Sequence, residues 1–267
     1  MRRPFGQALR LGVAADGVAL VRAARWRRAT PELVATSAFG ADGADTLAAT
    51  ADAIAQVLGQ GEYTGWPLTV VLADELVRTW RVLPPPGAAR VADLEAASAL
   101  RFHTLYGDSA AGWQMAASWD QSHPFLAAAV PKPLMAVLEQ AAARQRLALV
   151  SIVPQFVANW NRWRGALARG AWFGQLHEQV LTLGALEHGR LAGLRAALVP
   201  PGADGAWLGA HLAREAMLLD LAAPATLQLV GKLPTSWRGT DTCSVLAGGG
   251  AQDWPALARL ACSGAYA

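Results

Sequence analysis

The order of predicted elements in the second half of the chain repeats the order in the first half, and this repetition constrains the fold most strongly. Each half opens with three short apolar strands, continues with a helix and returns to an apolar strand. The segments of the first half are 11–13, 18–22, 31–39, 45–58 and 67–73, and those of the second are 171–176, 180–186, 191–198, 204–219 and 226–230. The sequence therefore predicts an α/β chain of two duplicated halves.

Turn and cap residues mark the ends of these elements. Asp16-Gly17 is a strong signal for a short hairpin between the first two strands. Asp45 and Asp204 stand where a helix N-cap is expected. The continuous apolar runs at 67–73 and 226–230 indicate strands that are buried on both faces.

Additional elements lie between the two repeats. A strand at 77–83, a helix at 92–102 and two strands at 112–119 and 125–130 predict a small strand-helix-strand-strand insertion in the first half. The elements that complete each half are a helix at 133–146, a strand at 147–153 and a helix at 155–167 in the first, and a strand near 243–246 and a helix at 254–262 in the second. We expect domains at 1–168 and 169–267, with an inserted subdomain at about 75–131.

Composition narrows the classes of protein. Apolar residues make up 53% of the chain and charged residues 16%, which excludes an intrinsically disordered chain. Two cysteines cannot form a disulfide framework and favour a reducing compartment. Charges interrupt every long apolar stretch, and the N-terminus lacks the pattern of a signal peptide. We therefore expect a cytoplasmic protein.

Four stretches of sequence resemble a known group of bacterial proteins. They are residues 9–21 (LRLGVAADGVALV), 70–86 (VVLADELVRTWRVLPPP), 125–147 (FLAAAVPKPLMAVLEQAAARQRL) and 150–163 (VSIVPQFVANWNRW). In these stretches the chain is similar to the PilM and GspL cytoplasmic-domain group of the actin-like ATPase superfold. The resemblance implies duplicated actin-like (ribonuclease H-like) halves with a small insertion in the first half.

The resemblance also implies a function and a partner. Its members belong to the inner-membrane platforms of type IV pili and type II secretion systems. It implies a non-catalytic scaffold, peripheral at the cytoplasmic face of the inner membrane, that grips the short N-terminal tail of a PilN-like bitopic membrane protein. The groove for that tail would lie between the first half's main body and the inserted subdomain. Whether the chain forms homo-oligomers is left open.

The nucleotide motifs of the superfold are degenerate in this chain. Active members carry an acid, a glycine and hydroxyl residues at the first hairpin, whereas this chain has Gly12 at the acid's position and Asp16 in the turn, followed by no Ser or Thr. The second hairpin offers Gly174 without an acid, and the adenosine contact would fall on Gly231 or on 248–250. Because Mg²⁺ binding needs carboxylate oxygens, we expect no hydrolysis and no bound cofactor, while ATP with Mg²⁺ stays open.

Other catalytic patterns are incomplete. His177-Glu178 begins like a zinc-protease helix, but residue 181 is Leu, so the second histidine is missing. Cys243 and Cys262 match no zinc or redox spacing. We predict neither catalytic residues nor a metal site.

Two sets of residues suit partners. The first surrounds Trp26 and would contact anionic lipid or an acidic partner, unless it is a solvated turn: Arg22, Arg25, Arg27 and Arg28. The second lies in the insertion and combines residue types enriched in interfaces: Trp80, Arg81, Arg101, Phe102 and Tyr106. These side chains either bind the partner or pack the insertion's own core.

Two alternative functions remain open. An active actin-like or kinase-like NTPase would require Asp16 or Asp74 to carry Mg²⁺. A nucleic-acid-associated protein would use the arginines between residues 22 and 28, but a net charge of only +3 argues against it.

Overall fold

A computed structural model of the chain describes residues 6–24, 30–40, 46–237, 240–246 and 253–265. The strands are β1 (Gln7–Ala14), β2 (Gly17–Ala24), β3 (Glu32–Ala38), β4 (Pro67–Leu72), β5 (Arg78–Val82), β6 (Trp113–Ala117), β7 (Phe125–Pro131), β8 (Ala148–Pro154), β9 (Ala171–His177), β10 (Val180–Glu187), β11 (Arg190–Leu198), β12 (Thr226–Gly231) and β13 (Cys243–Val245). The helices are α1 (Thr46–Leu58), α2 (Val91–Tyr106), α3 (Lys132–Arg144), α4 (Gln155–Trp163), α5 (Gly205–Leu218) and α6 (Ala256–Ala261).

Two five-stranded sheets have the same strand order. The first is β3-β2-β1-β4-β8 and the second is β11-β10-β9-β12-β13. In each sheet the first three strands are antiparallel neighbours and the last two join in parallel. This repeated topology confirms the duplicated α/β fold that the sequence predicts.

The inserted strand-helix-strand-strand unit is also confirmed. It forms a three-stranded sheet in the order β5-β7-β6. Helix α2 lies against this sheet, and Leu94 and Phe102 from the helix enter one apolar cluster with Val82 and Phe125 from the strands. The insertion therefore has a small core of its own.

The chain divides into two compact units that do not follow chain order. One comprises Met1–Val77, Val130–Arg162 and Gly248–Ala267, and the other Arg78–Ala129 and Trp163–Ala247. The inserted sheet thus clusters with the second five-stranded sheet, and the C-terminal segment clusters with the first.

Helix α6 corrects one expectation from the sequence. The terminal helix was expected to complete the second half, but α6 packs on β1 and β2 of the first sheet. Leu260 is buried there among Ala14, Val71 and Ala73. The expectation is wrong because α6 is an apolar six-residue helix, and the surface that buries it belongs to the first sheet.

No helix in the described ranges combines the length and the apolar character needed to cross a membrane.

Candidate functional site

The first hairpin is a tight turn whose backbone is already engaged. Ala14 pairs with Gly17, so only Ala15 and Asp16 form the turn. The Ala15 N–H donates to Oε1 of Glu75 at 3.3 Å. A carboxylate therefore takes an N–H that a phosphate would need, and its negative charge repels phosphate.

The strand before this turn has no room for an acid. A Cβ atom on Gly12 would lie 2.7 Å from the Ala261 N and 2.8 Å from the Leu257 O, both in the backbone of α6. A Cβ atom on Gly17 would lie 2.7 Å from Cδ1 of Leu257. The two glycines let α6 lie directly on the hairpin strands, so Gly12 serves close packing in this structure.

Side chains from β1 and α4 hold the end of α6. Arg10 Nε donates to the Ala261 carbonyl at 2.7 Å, and Gln155 Nε2 donates to Ser263 Oγ at 3.2 Å. The Gly264 N–H donates to Asn159 Oδ1 at 2.9 Å. A short apolar helix is unstable alone, so these bonds help to fix α6 over the first hairpin.

The thiol beside this contact is uncharged near neutral pH. Burial raises the pKa of Cys262 to about 11, although the nearby Arg10 guanidinium opposes the shift. Cys262 is therefore a packing residue in this structure rather than a reactive thiolate.

The two acids that the NTPase alternative requires, Asp16 and Asp74, make unrelated contacts. Asp16 is exposed in the turn, and its carbonyl accepts from the Phe39 N–H at 2.8 Å. Asp74 Oδ1 accepts from the Phe156 N–H at 3.0 Å, in the first turn of α4. Asp74 thus satisfies a helix N-terminus, a common task for aspartate. In the described part of the chain, no group of three or more His, Cys, Asp or Glu residues could hold a metal ion.

The second hairpin closes beyond Gly174, the glycine that the sequence offered for it. Its turn consists of Glu178 and Gln179, because His177 pairs with Val180. Gly174 lies inside β9, where a Cβ atom would meet the Leu229 side chain at 2.5 Å. Gly174 is therefore a packing position in the middle of a strand.

The position that corresponds to Gly12 in the second hairpin is Gln175. Each residue lies two positions before the pair that closes its hairpin. Gln175 is 2% exposed and pairs across the strands with Thr182, which is 3% exposed. Sequence analysis missed both residues, and the available signal was a polar residue inside an apolar strand next to a turn.

Gly231 ends β12 where that strand meets β9. It has a φ of +124°, and a Cβ atom would lie only 2.1 Å from the Leu176 carbonyl oxygen. Only glycine fits this backbone position, whatever else it contacts. The other adenosine candidate, residues 248–250, lies outside the described residues.

The insertion buries two of its five predicted partner residues. Trp80 and Phe102 are 3% and 0% exposed, with ring centroids 5.1 Å apart, so these two rings follow the second of the two alternatives and pack the insertion's own core. The Tyr106 hydroxyl donates to the Thr79 carbonyl at 2.9 Å, and burial raises the pKa of this phenol. The rings pack the insertion's core because a small domain has few other apolar groups to bury.

Arg81 and Arg101 are exposed, and the structure leaves both side chains accessible to a partner.

The core of the insertion contains an unpaired hydroxyl. Ser98 lies between Leu94 and Phe102 on the buried face of α2, and its Oγ has no hydrogen-bond partner. We predict that Ser98→Ala raises the free energy of unfolding by about 1 kcal/mol, because it removes a desolvated polar group. Denaturant unfolding measures the change.

Thr50→Val is the control for this variant, because the buried Thr50 hydroxyl donates to the Thr46 carbonyl at 2.7 Å. Its replacement removes a formed bond and should not stabilise the protein. A Ser98→Ala variant that is less stable than the original chain contradicts the prediction.

The arginine set that was expected to contact lipid or an acidic partner is described only in part. Arg22 forms an ion pair with Glu32 of the neighbouring strand, and the other three members, Arg25, Arg27 and Arg28, lie outside the described residues. The contact of this arginine set with anionic lipid or an acidic partner stays a prediction.

Two rings of α5 and the ring of Trp237 form a stack that the sequence analysis did not anticipate. The His211 ring lies flat on Trp207 with centroids 5.0 Å apart, and Trp207 stacks on Trp237 at 6.0 Å. His211 Nε2 is buried without a hydrogen-bond partner. Burial lowers the pKa of His211 below its usual 6.5, with Glu215 opposing this effect.

This stack predicts a dependence of stability on pH. The unfolded chain protonates His211 more readily than the folded chain, so stability is fully present above about pH 7 and falls as the pH drops through about 6.5. His211→Phe keeps the stacking and should flatten the curve of melting temperature against pH in this window.

His188 lies on an exposed turn with a φ of +51°, and His188→Asn is the control. This variant should keep the original curve of melting temperature against pH. An unchanged curve in His211→Phe contradicts the prediction.

Comparison with known structures identifies the fold. The cytoplasmic domain of EpsL, an inner-membrane component of the type II secretion system of Vibrio cholerae, aligns with a TM-score of 0.61 at 12% identity, covering 96% of this chain and 94% of that domain. A protein from Bacteroides thetaiotaomicron with an actin-like ATPase fold aligns with a TM-score of 0.61 at 10% identity, covering 88% and 87%. The chain has the actin-like fold.

A third structure has the same fold. The PilM-PilN type IV pilus biogenesis complex aligns with a TM-score of 0.50 at 17% identity, covering 78% of this chain but only 65% of that chain. No protein-family model matches the chain, and no curated protein matches it in sequence. The expected resemblance to the actin-like fold of the GspL and PilM type is thus confirmed at the level of structure.

Proposed function

We propose that this chain is a non-catalytic assembly protein of a type II secretion or type IV pilus inner-membrane platform. It would bind the short cytoplasmic tail of a PilN-like bitopic membrane protein and act at the cytoplasmic face of the inner membrane through that partner.

The proposal that the chain does not hydrolyse nucleotide rests on the geometry of the first hairpin. A phosphate site needs free N–H groups and a carboxylate that can hold Mg²⁺. Here the Ala15 N–H donates to Glu75, and α6 covers the strand at Gly12. Both features disfavour the binding of Mg²⁺-ATP, and they arise from residues that also stabilise the fold.

The likeness to EpsL and PilM supports the assembly role. The EpsL structure is described as the cytoplasmic domain of an inner-membrane secretion component, and the PilM structure is described as a complex with PilN. A protein that assembles with a membrane partner needs a binding surface rather than catalytic groups.

A capture experiment tests the assembly role. The purified chain is incubated with detergent-solubilised membranes of its source, crosslinked and analysed by mass spectrometry. The proposal predicts crosslinks to the cytoplasmic tail of one single-span membrane protein, in equal yield with and without Mg²⁺-ATP. Recovery of no such protein, or capture that requires ATP hydrolysis, would count against it.

A further inference from the structure

Most sheet edges in the described part of the chain carry a feature that hinders pairing with another strand. Edge strands expose unpaired N–H and C=O groups, and proteins protect them with bulges, charges or short length. The pairings of β3 and β8 contain register shifts, and β13 has only three residues. Strands β5 and β11 carry exposed arginines: Arg78, Arg81, Arg190 and Arg195.

Strand β6 is different. Its sequence, WQMAA, contains neither a charged residue nor a proline, and its five residues can support a ladder of backbone hydrogen bonds. It pairs with β7 on one side, and no described strand lies on its other side. Such an edge is a template for an added strand.

The two faces of β6 define which side chains an added strand would present. Trp113 and Met115 pack against the insertion's core and are only partly buried, whereas Gln114 and Ala116 on the other face are exposed. Side chains alternate between faces along a strand. An added strand would therefore extend the core with apolar residues at every second position and place polar residues between them.

The acidic residues next to β6 favour a basic partner, although His123 Nδ1 also lies 3.3 Å from Asp120 Oδ2. The segment 103–124 contains no Lys or Arg, and it carries Asp108 before β6 and Asp120 after it. The Ser122 N–H donates to the Asp120 carboxylate at 2.8 Å and lowers its pKa, which keeps this group ionised. Cytoplasmic segments next to a membrane span carry an excess of Lys and Arg.

We infer that β6 binds an extended, basic segment of the membrane partner as an added strand, with apolar side chains at alternate positions. This inference rests on the proposed function. It assigns the partner's tail to one edge of the inserted sheet, in place of the groove that the sequence resemblance implied.

Hydrogen exchange with a defined probe tests the inference on the full chain. The probe is a ten-residue peptide that alternates Lys and Val, and its control carries N-methyl groups on every second amide. We expect the probe to slow exchange of the amides at 113–117 and to bind more weakly as salt is raised. The methylated peptide cannot pair and should give no protection. Protection confined to other segments, or equal binding of the methylated peptide, would overturn the inference.

A charge on the exposed face of β6 provides the matched variant. Ala116→Lys should weaken binding of the probe by about tenfold, because it adds repulsion at the edge. Ala96→Lys adds the same charge on the exposed surface of α2 and should leave binding unchanged. Equal binding by the two variants would contradict a site on β6.

The same variants separate this inference from the proposed function. If the original chain captures a single-span membrane protein and Ala116→Lys captures it equally well, the β6 site is wrong and the assembly role stands. If the original chain captures none, the assembly role fails, and the exchange data decide on β6 alone.

Discussion

Replacing Gly12 by aspartate is expected to displace helix α6 and to leave ATP hydrolysis absent, although it supplies the acid that active members carry. The new Cβ atom would lie within 2.8 Å of two backbone atoms of α6, at Ala261 and Leu257. Neither atom can move without shifting the helix, and overpacking of this kind costs about 1–3 kcal/mol. Denaturant unfolding and hydrogen exchange at 256–261 measure the loss.

Gly165→Asp is the control, because a Cβ atom on Gly165 meets nothing within 4 Å. It adds the same charge in open space and should change stability by less than about 0.5 kcal/mol. If Gly12→Asp instead keeps the protection of α6 and gains Mg²⁺-dependent phosphate release, the account of the first hairpin is wrong.

Replacing Gly231 by alanine is expected to destabilise the second sheet even more. The backbone φ of +124° is strained for any side chain, and the Cβ atom would overlap the Leu176 carbonyl oxygen at 2.1 Å. Strain and overpacking add to a loss of about 3 kcal/mol or more, because β12 must move away from β9. The midpoint of denaturant unfolding and exchange at 226–231 report this change.

Gly202→Ala separates backbone strain from overlap. Gly202 has a φ of +77°, and a Cβ atom there meets nothing within 4 Å. Strain alone should cost about 1–2 kcal/mol. If Gly202→Ala and Gly231→Ala lower the free energy of unfolding equally, the overlap with the Leu176 carbonyl contributes nothing to the destabilisation.

The order of strands and helices along the chain was predictable from sequence, because local patterns determine it. Apolar runs, the turn at Asp16-Gly17 and the cap at Asp204 are read directly from neighbouring residues. Asp204 does cap α5, since its Oδ1 accepts from the Trp207 N–H at 2.9 Å. Signals of this kind need no knowledge of the tertiary structure.

The position of α6 and the register of the second hairpin were not predictable in the same way. Which sheet buries an apolar helix depends on the surface left open by distant residues, here the glycines at 12 and 17. Gln175 was missed because the turn that sets the register of this hairpin, Glu178-Gln179, contains no glycine to mark it. The glycine that the sequence offers, Gly174, lies inside β9 and packs against Leu229.

Burial in the insertion was ambiguous from sequence for a physical reason. Trp and Tyr serve equally well in a small core and in an interface, because both environments bury aromatic surface. Leu94, Ser98 and Phe102 lie four residues apart on one face of α2, and that face is buried. The burial of Trp80 depends on the packing of β5 against that helix, which neighbouring residues in the sequence do not determine.

Calorimetric titration of the purified chain with Mg²⁺-ATP, followed by a phosphate-release assay, shows whether the chain binds and hydrolyses nucleotide. We expect no saturable heat and no release of phosphate above a blank without protein, because Glu75 accepts the hairpin N–H and α6 covers Gly12. Saturable binding with Mg²⁺-dependent turnover, abolished in Asp16→Ala or Asp74→Ala, would instead show that the chain is an ATP-driven protein.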